Sequence, residues 1–442
     1  MTRNLGILGT LVLSLMVGEV SSWAQYSTDN SAVGGVLIDA DGMLSQAQTG
    51  DLKALSQKRQ ETMQPLVSGL ATSAEMRKIS LKKLNETIQQ SLAKGEAIPD
   101  SVRYLGGLTA VEYVFVYPEE NDIVLVGPAE GWTVGPKGVI VGKDSGRPTM
   151  LLEDLQSAMR SAGGSERRVF SVSIDPTPEG LQAVNAFVSQ VNRVRNPQAM
   201  ASEMEKRLGN QVISIEGIER DSHFAAVLAA ADYRMKQISM GVTKSPLKSL
   251  PSFVSMIKKP TEANVLPRWW MAPNYDAILR DEAGLAWNLV GGKVVTRTET
   301  DFFDGTQVVR GAGKASPVFA AWADKMTANY EKLSVAEPIF GQLRNCMDCA
   351  IVAAIVAEND ILTKIDNPLE ALLSEEASVK RSIVPQFVSS TAVVAKKGNG
   401  YLFTNGGVAI DLWSLVKEAN VTDDWNVTAE KCQVTGKKWW KN

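Results

Sequence analysis

A single histidine, His223, limits the chemistry open to this chain, because a zinc site built on two imidazoles, such as His-Glu-x-x-His, cannot be assembled from it. A metal would need carboxylate or cysteine ligands. His223 lies in Glu219-Arg220-Asp221-Ser222-His223, which the residue pattern places after a strand and at the start of a helix. Helix N-termini favour anions, and open sheets hold ligands at the carboxyl ends of their strands. Were strands over 169–174 and 212–218 parallel neighbours, Asp175 would join Glu219, Asp221 and His223 along one edge. Carboxylates and an imidazole in that arrangement could do acid–base work or hold a hard cation. The plainer alternative is that Asp221 or Ser222 caps the helix while His223 sits at the rim of a core face.

Three further groups invite chemistry. Cys346-Met347-Asp348-Cys349 has redox spacing, yet the pattern from Pro338 onward is already helical, and a pair inside a helix lacks the exposed N-terminal environment that lowers a thiol pKa. Buried thiols, or one disulfide among Cys346, Cys349 and Cys432, are the structural alternative. Arg268-Trp269-Trp270, followed by Asn274 and Tyr275, would make a stacking platform with a cationic rim for sugars or peptides, or else ordinary core filling. The terminal Lys437-Lys438-Trp439-Trp440-Lys441 combines charge with aromatic surface and could touch a membrane or glycan; a solvated, frayed end is the alternative. Gly311-Ala312-Gly313-Lys314-Ala315 lacks the upstream glycine and the hydroxyl residue of a phosphate loop, and Asp39-Ala40-Asp41-Gly42 lacks the later ligands of a calcium loop. No resident metal and no cofactor is expected.

The elements that must position these residues begin with a leader. Arg3, an apolar stretch over 5–18 and Ser22-Trp23-Ala24 make residues 1–24 a cleavable export signal. Residues 25–98 are expected to form a hairpin turning at Asp41-Gly42, then a helical arm over 51–95. An α/β core over 99–242 holds a buried hairpin around 111–126, a helix over 150–162 and strand-loop-helix units, with Thr177-Pro178 starting the helix over 181–194. Alternating strands and helices suggest crossovers onto a shared sheet. The proline-bearing stretch 243–267 is expected to be a linker or surface excursion. Residues 268–442 follow as a β-meander over 277–298 and a helical C-terminal part, whose apolar run over 349–357 is too short to span a membrane and belongs in a core. The expected class is mixed α+β.

Composition narrows the partners. With 46 Lys and Arg against 49 Asp and Glu, the net charge of -3 argues against nucleic acid as a partner. Three cysteines in 442 residues mean that burial, not a disulfide framework, must hold the fold. No transmembrane segment is expected after signal cleavage.

Several segments together resemble a known family. They are Arg103-Tyr104-Leu105-Gly106-Gly107-Leu108, Tyr113-Val114-Phe115-Val116-Tyr117-Pro118-Glu119, Gly127-Pro128-Ala129-Glu130-Gly131-Trp132, Ser173-Ile174-Asp175-Pro176-Thr177-Pro178-Glu179-Gly180-Leu181 and Arg268-Trp269-Trp270-Met271-Ala272-Pro273-Asn274-Tyr275. The combination is similar to the uncharacterised secreted family called domain of unknown function 1598, associated with planctomycetes. The resemblance implies export and supplies no activity. The expectation is therefore a non-enzymatic exported protein, periplasmic or extracellular, binding an envelope polymer or a protein partner. The rival expectation is a carboxylate-based hydrolase or cation-dependent binding protein using Asp175, Glu219, Asp221 and His223.

Overall fold

The computed structural model describes residues 32–442 apart from 34–35, 39–43, 47–48, 165–168, 192–194, 259–264, 276, 292–293, 379–382, 394–404 and 423–426. The expected leader over 1–24 lies outside the described residues. Strands β1 (Ala32–Val33), β2 (Val36–Ile38) and β3 (Leu44–Gln46) run antiparallel in turn, so the chain reverses between Ile38 and Leu44 as expected, although Asp41-Gly42 itself falls outside the described residues. The helical arm expected over 51–95 is instead α1 (Thr49–Thr62), β4 (Ala74–Ser80) and α2 (Leu81–Lys94). β4 carries no apolar alternation to announce it, since its buried positions are Arg77, Ile79 and Ser80. Ser80 ends the strand and caps the helix by accepting from the Lys83 N–H.

After α3 (Asp100–Arg103), β5 (Tyr113–Tyr117) and β6 (Asp122–Ala129) form the expected hairpin, every residue of β5 being buried. A separate ribbon, β7 (Trp132–Val134) with β8 (Ile140–Gly142), precedes α4 (Leu152–Ala162). Next come β9 (Phe170–Asp175), α5 (Pro178–Ser189), α6 (Pro197–Leu208), β10 (Asn210–Glu216) and α7 (His223–Met240). Thr177 accepts from the Gly180 N–H with Pro178 at the first helical position, as the sequence predicts. β9 and β10 are neighbours but antiparallel, with Val212 opposite Asp175. The reason is that two helices lie between them. One helix would return the chain to the far end of the sheet, whereas a helix pair returns it to the end it left.

The stretch read as a linker buries Leu250 and Phe253, the latter on α8 (Phe253–Met256), and runs into β11 (Val265–Pro273). β12 (Ala277–Arg280), β13 (Ala286–Val290), β14 (Val294–Phe303) and β15 (Val308–Val309) follow. They do not make one meander: β13 pairs with β12 and β5, while β14 pairs with β11 in the other sheet. The remainder comprises α9 (Pro317–Ala336), α10 (Pro338–Glu358), α11 (Ile361–Lys364), α12 (Glu370–Leu373), β16 (Phe387–Ser389), β17 (Asn405–Ile410), α13 (Leu412–Lys417), β18 (Asn420–Val421), α14 (Ala429–Cys432) and β19 (Trp440–Lys441).

Among the described residues the strands order as β1-β2-β3-β16-β10-β9-β17-β11-β14-β15 in a ten-stranded sheet and β18-β12-β13-β5-β6-β4-β19 in a seven-stranded one. Each sheet takes strands from 25–98, 99–242 and 268–442, so these segments interleave, and the class is mixed α+β. α10 is the core element. It packs on α4, α7 and α9, and by length and composition it would pass for a membrane span, yet its apolar window is wholly buried, as expected of a core helix. α7 covers the inner face of β9 and β17, and α9 covers β14.

Candidate ligand-binding face

β9 alternates buried and half-buried positions along its length: Phe170, Val172 and Ile174 face the helices, and Ser171, Ser173 and Asp175 face outward. β11 does the same at its centre. Trp269 is 1% exposed, whereas Arg268 and Trp270 on either side are half-buried on the outer face. Consecutive strand residues point to opposite faces, so Trp269 and Trp270 cannot make one platform. Trp269 packs instead edge-to-face against Phe253 and tilted against Trp322, each with ring centroids 4.8 Å away, and its Nε1 donates to the Phe319 carbonyl at 3.1 Å. Tyr275 is buried as well, its hydroxyl donating to Asp348 Oδ1 at 2.8 Å, and Asn274 is half-buried.

The register sets the outer face. Ser214 on β10 opposes Ser173 on β9, Ser173 opposes Gly407 on β17, Gly407 opposes Trp270 on β11, and Trp270 opposes Arg297 on β14. A ladder of ion pairs runs beside this row. The Asp175 Oδ2 accepts from Arg310 at 3.0 Å, Arg310 also donates to Asp301 Oδ2 at 2.9 Å, Arg268 Nε lies 3.1 Å from the same oxygen, and Arg268 pairs with Glu299. The ladder holds the Arg268 guanidinium over the Trp270 ring, 4.7 Å from its centroid. Burial by itself would lower the Arg310 pKa, but Asp175 and Asp301 outweigh it and raise it. Asp301 is fully buried beneath the arginines and also accepts from the Gly311 N–H at 3.0 Å. Asp175 and Arg268, 93 positions apart in sequence, thus meet through Arg310 and Asp301.

The edge proposed from sequence is not brought together. Because β9 and β10 are antiparallel, Asp175 lies opposite the start of β10, while Glu219, Asp221 and His223 follow its other end. Glu219 pairs with Arg160 at 3.1 Å, and Asp221 is exposed in the turn. Ser222, not Asp221, caps α7, its hydroxyl accepting from the Ala225 N–H at 3.0 Å. His223 is buried between α4, α7 and α10. The Gln342 amide donates to its Nε2 at 3.3 Å, which leaves Nδ1–H to donate to Asp154 Oδ1 at 2.8 Å.

Of the two structural alternatives for the cysteines, buried thiols are found and the disulfide is not. Cys346, Cys349 and Cys432 are buried free thiols, with no disulfide among them. Burial pushes Cys346 and Cys349 well up, and the neighbouring Asp154 adds to it, so both are held as thiols and not as nucleophilic thiolates. Under the outer face, on α7, Lys236 pairs with the fully buried Asp232 at 3.0 Å and donates to the Ile174 carbonyl of β9. Burial raises the Asp232 pKa to about 6 against the pull of Lys236, with Asp175 adding to the rise.

Sequence reasoning missed Arg297, Glu299, Asp301 and Arg310, and the row of serines. A signal for the serines exists: Phe170-Ser171-Val172-Ser173-Ile174-Asp175 alternates strictly, which marks a strand with one solvated face. Strands of an all-parallel sheet are apolar on both faces, so the same alternation argues against the parallel pairing on which the carboxylate edge depended.

The fold and face define a mixed α+β protein with a long antiparallel-rich sheet, covered by α7 and α9 on one side and bearing on the other an aromatic, hydroxyl and ion-paired surface, beyond which α5 and α6 pack on Leu266 and Phe303. The chain resembles the family described as Protein of unknown function (DUF1598), whose model matches residues 172–253, from β9 through the start of α8. No curated protein and no solved structure matches the chain.

Proposed function

We propose that this chain is an exported cell-envelope protein whose function is binding, with the outer face of the ten-stranded sheet around Trp270 and Arg268 as its contact surface. One observation carries the reading: two sequence candidates from distant segments, Asp175 and Arg268-Trp270, meet on one outward face, where ion pairs fix the guanidinium over the indole. A guanidinium held over an indole presents a preformed flat contact, so less side-chain freedom is lost when something binds there. The leader over 1–24 supports export. The hydrolase or cation-binding alternative loses its geometric basis, since Asp175 is ion-paired at the opposite end of the strand pair and His223 is engaged in the core.

Two measurements test this. N-terminal sequencing of the native protein from the envelope fraction should begin at Gln25; a chain beginning at Met1 in the cytosol would overturn the export claim. Immobilised mature protein should retain material from the envelope fraction, and Trp270→Ala should abolish most of that retention. Equal retention by the variant would remove the face from the proposal.

A further inference from the structure

The row Ser214, Ser173, Gly407, Trp270, Arg297 crosses five strands. Four inter-strand spacings make it about 19 Å long. Gly407 stands between Ser173 and Trp270 in the register and, as a glycine, adds no side chain to the row. Ser171 lies on the same face as Ser173 and opposes Glu216 across the β9–β10 pair. Resting on the reading of this face as a contact surface, the geometry points to an uncharged polysaccharide chain as its ligand, lying across the strands with one sugar ring on Trp270.

The chemistry of the row favours that occupant over others. The apolar C–H face of a pyranose matches an indole whose plane is already fixed by Arg268 at 4.7 Å. Sugar hydroxyls both donate and accept, which suits serine hydroxyls flanked by carboxylates and guanidinia. The charges along the face have both signs: Asp175, Glu216 and Glu299 against Arg268, Arg297 and Arg310. A polyanion would gain no net attraction there, because three carboxylates balance three guanidinia. A protein partner would need a contiguous apolar centre within roughly 800 Å² per side, and beside one indole this face offers only the small Ala272, Ala409 and Val295 among serines, glycine and charges.

Titration calorimetry on the mature full chain with cellohexaose, chitohexaose, cellotriose and hexagalacturonate tests the assignment. The neutral hexamers should bind, the trimer should bind more weakly because it spans about half the row, and hexagalacturonate should bind least. Trp270→Ala should weaken hexamer binding by about tenfold, Trp270→Phe should retain most of it, and Ser173→Arg should block it by standing in the row. Thermal melts of all three variants should match the wild type, since the substituted side chains lie on the outer face. Binding of hexagalacturonate without either neutral hexamer, or hexamer binding unchanged in Trp270→Ala, would overturn the glycan assignment. If envelope material is still retained through Trp270 in that case, the contact surface stands and only the ligand class falls.

Discussion

Arg77 is a buried guanidinium whose donors tie three separate stretches of chain together. It donates to the carbonyls of Gly69, Leu70, Thr72 and Gly106 and, through Nε, to Asn442 Oδ1 at 2.7 Å, and burial lowers its pKa to about 10. Removing it leaves several buried acceptors without donors, each costing about 1–3 kcal/mol. Arg77→Ala should therefore lower stability by ~3–5 kcal/mol in urea denaturation, and Arg77→Lys should recover only part, because one ammonium cannot reach that fork of acceptors. A loss under ~1 kcal/mol would show that solvent replaces the guanidinium. Asp232 gives the opposite kind of residue effect. Its folded pKa of about 6 exceeds the unfolded value of 3.8, so between those values the folded state binds more protons. Its contribution to stability is then present at low pH and declines as pH rises from about 4 to 6. The difference in unfolding free energy between wild type and Asp232→Asn, measured across that window, should change in this direction; a flat difference would place the titration elsewhere.

At the scale of elements, caps and pattern breaks were the legible part. Thr177 and Ser222 each close a helix start through a side-chain hydrogen bond, and Thr177-Pro178 announces α5 without any knowledge of the fold, whereas the Ser80 cap fell inside the stretch read as one helical arm over 51–95. Thr177→Ala should cost about 1 kcal/mol, read as a lowered urea midpoint with an unchanged slope. Other elements were illegible for physical reasons. β4 turns Arg77 into the core, where a charged residue is tolerated only because backbone carbonyls from another segment surround it. The antiparallel sense of β9 and β10 followed from the number of helices between them and from the alternation in β9, both of which stand in the sequence. The site was less legible. Trp270 and Asp175 were visible as candidates, but Arg310 and Asp301 join them only through the β11–β14 register.

The whole molecule ties its ends into its middle. Trp439 and Trp440 are 8% exposed, the Trp440 ring fills the space above Gly69, and β19 adds to the edge of the seven-stranded sheet beside β4. The tail read as solvated is thus part of the core, with Lys438 4.7 Å from the Trp440 ring centroid. Deleting residues 437–442 should lower the melting temperature by roughly 5 °C or more, as losing two buried tryptophans costs several kcal/mol. A fragment ending at 242 should fail to fold cooperatively, because β5 would lose β13, and β9 would lose β17. A sharp two-state melt from that fragment would contradict the interleaving.

The sequence alone determined the start of α5, the apolar core helix and the mixed class, because each rests on neighbours within a few turns of chain. Tertiary structure decided which strands share a sheet, which tryptophan faces water, and that the histidine and thiols belong to the core. Those outcomes depend on pairings between residues tens to hundreds of positions apart, whose register local periodicity does not encode.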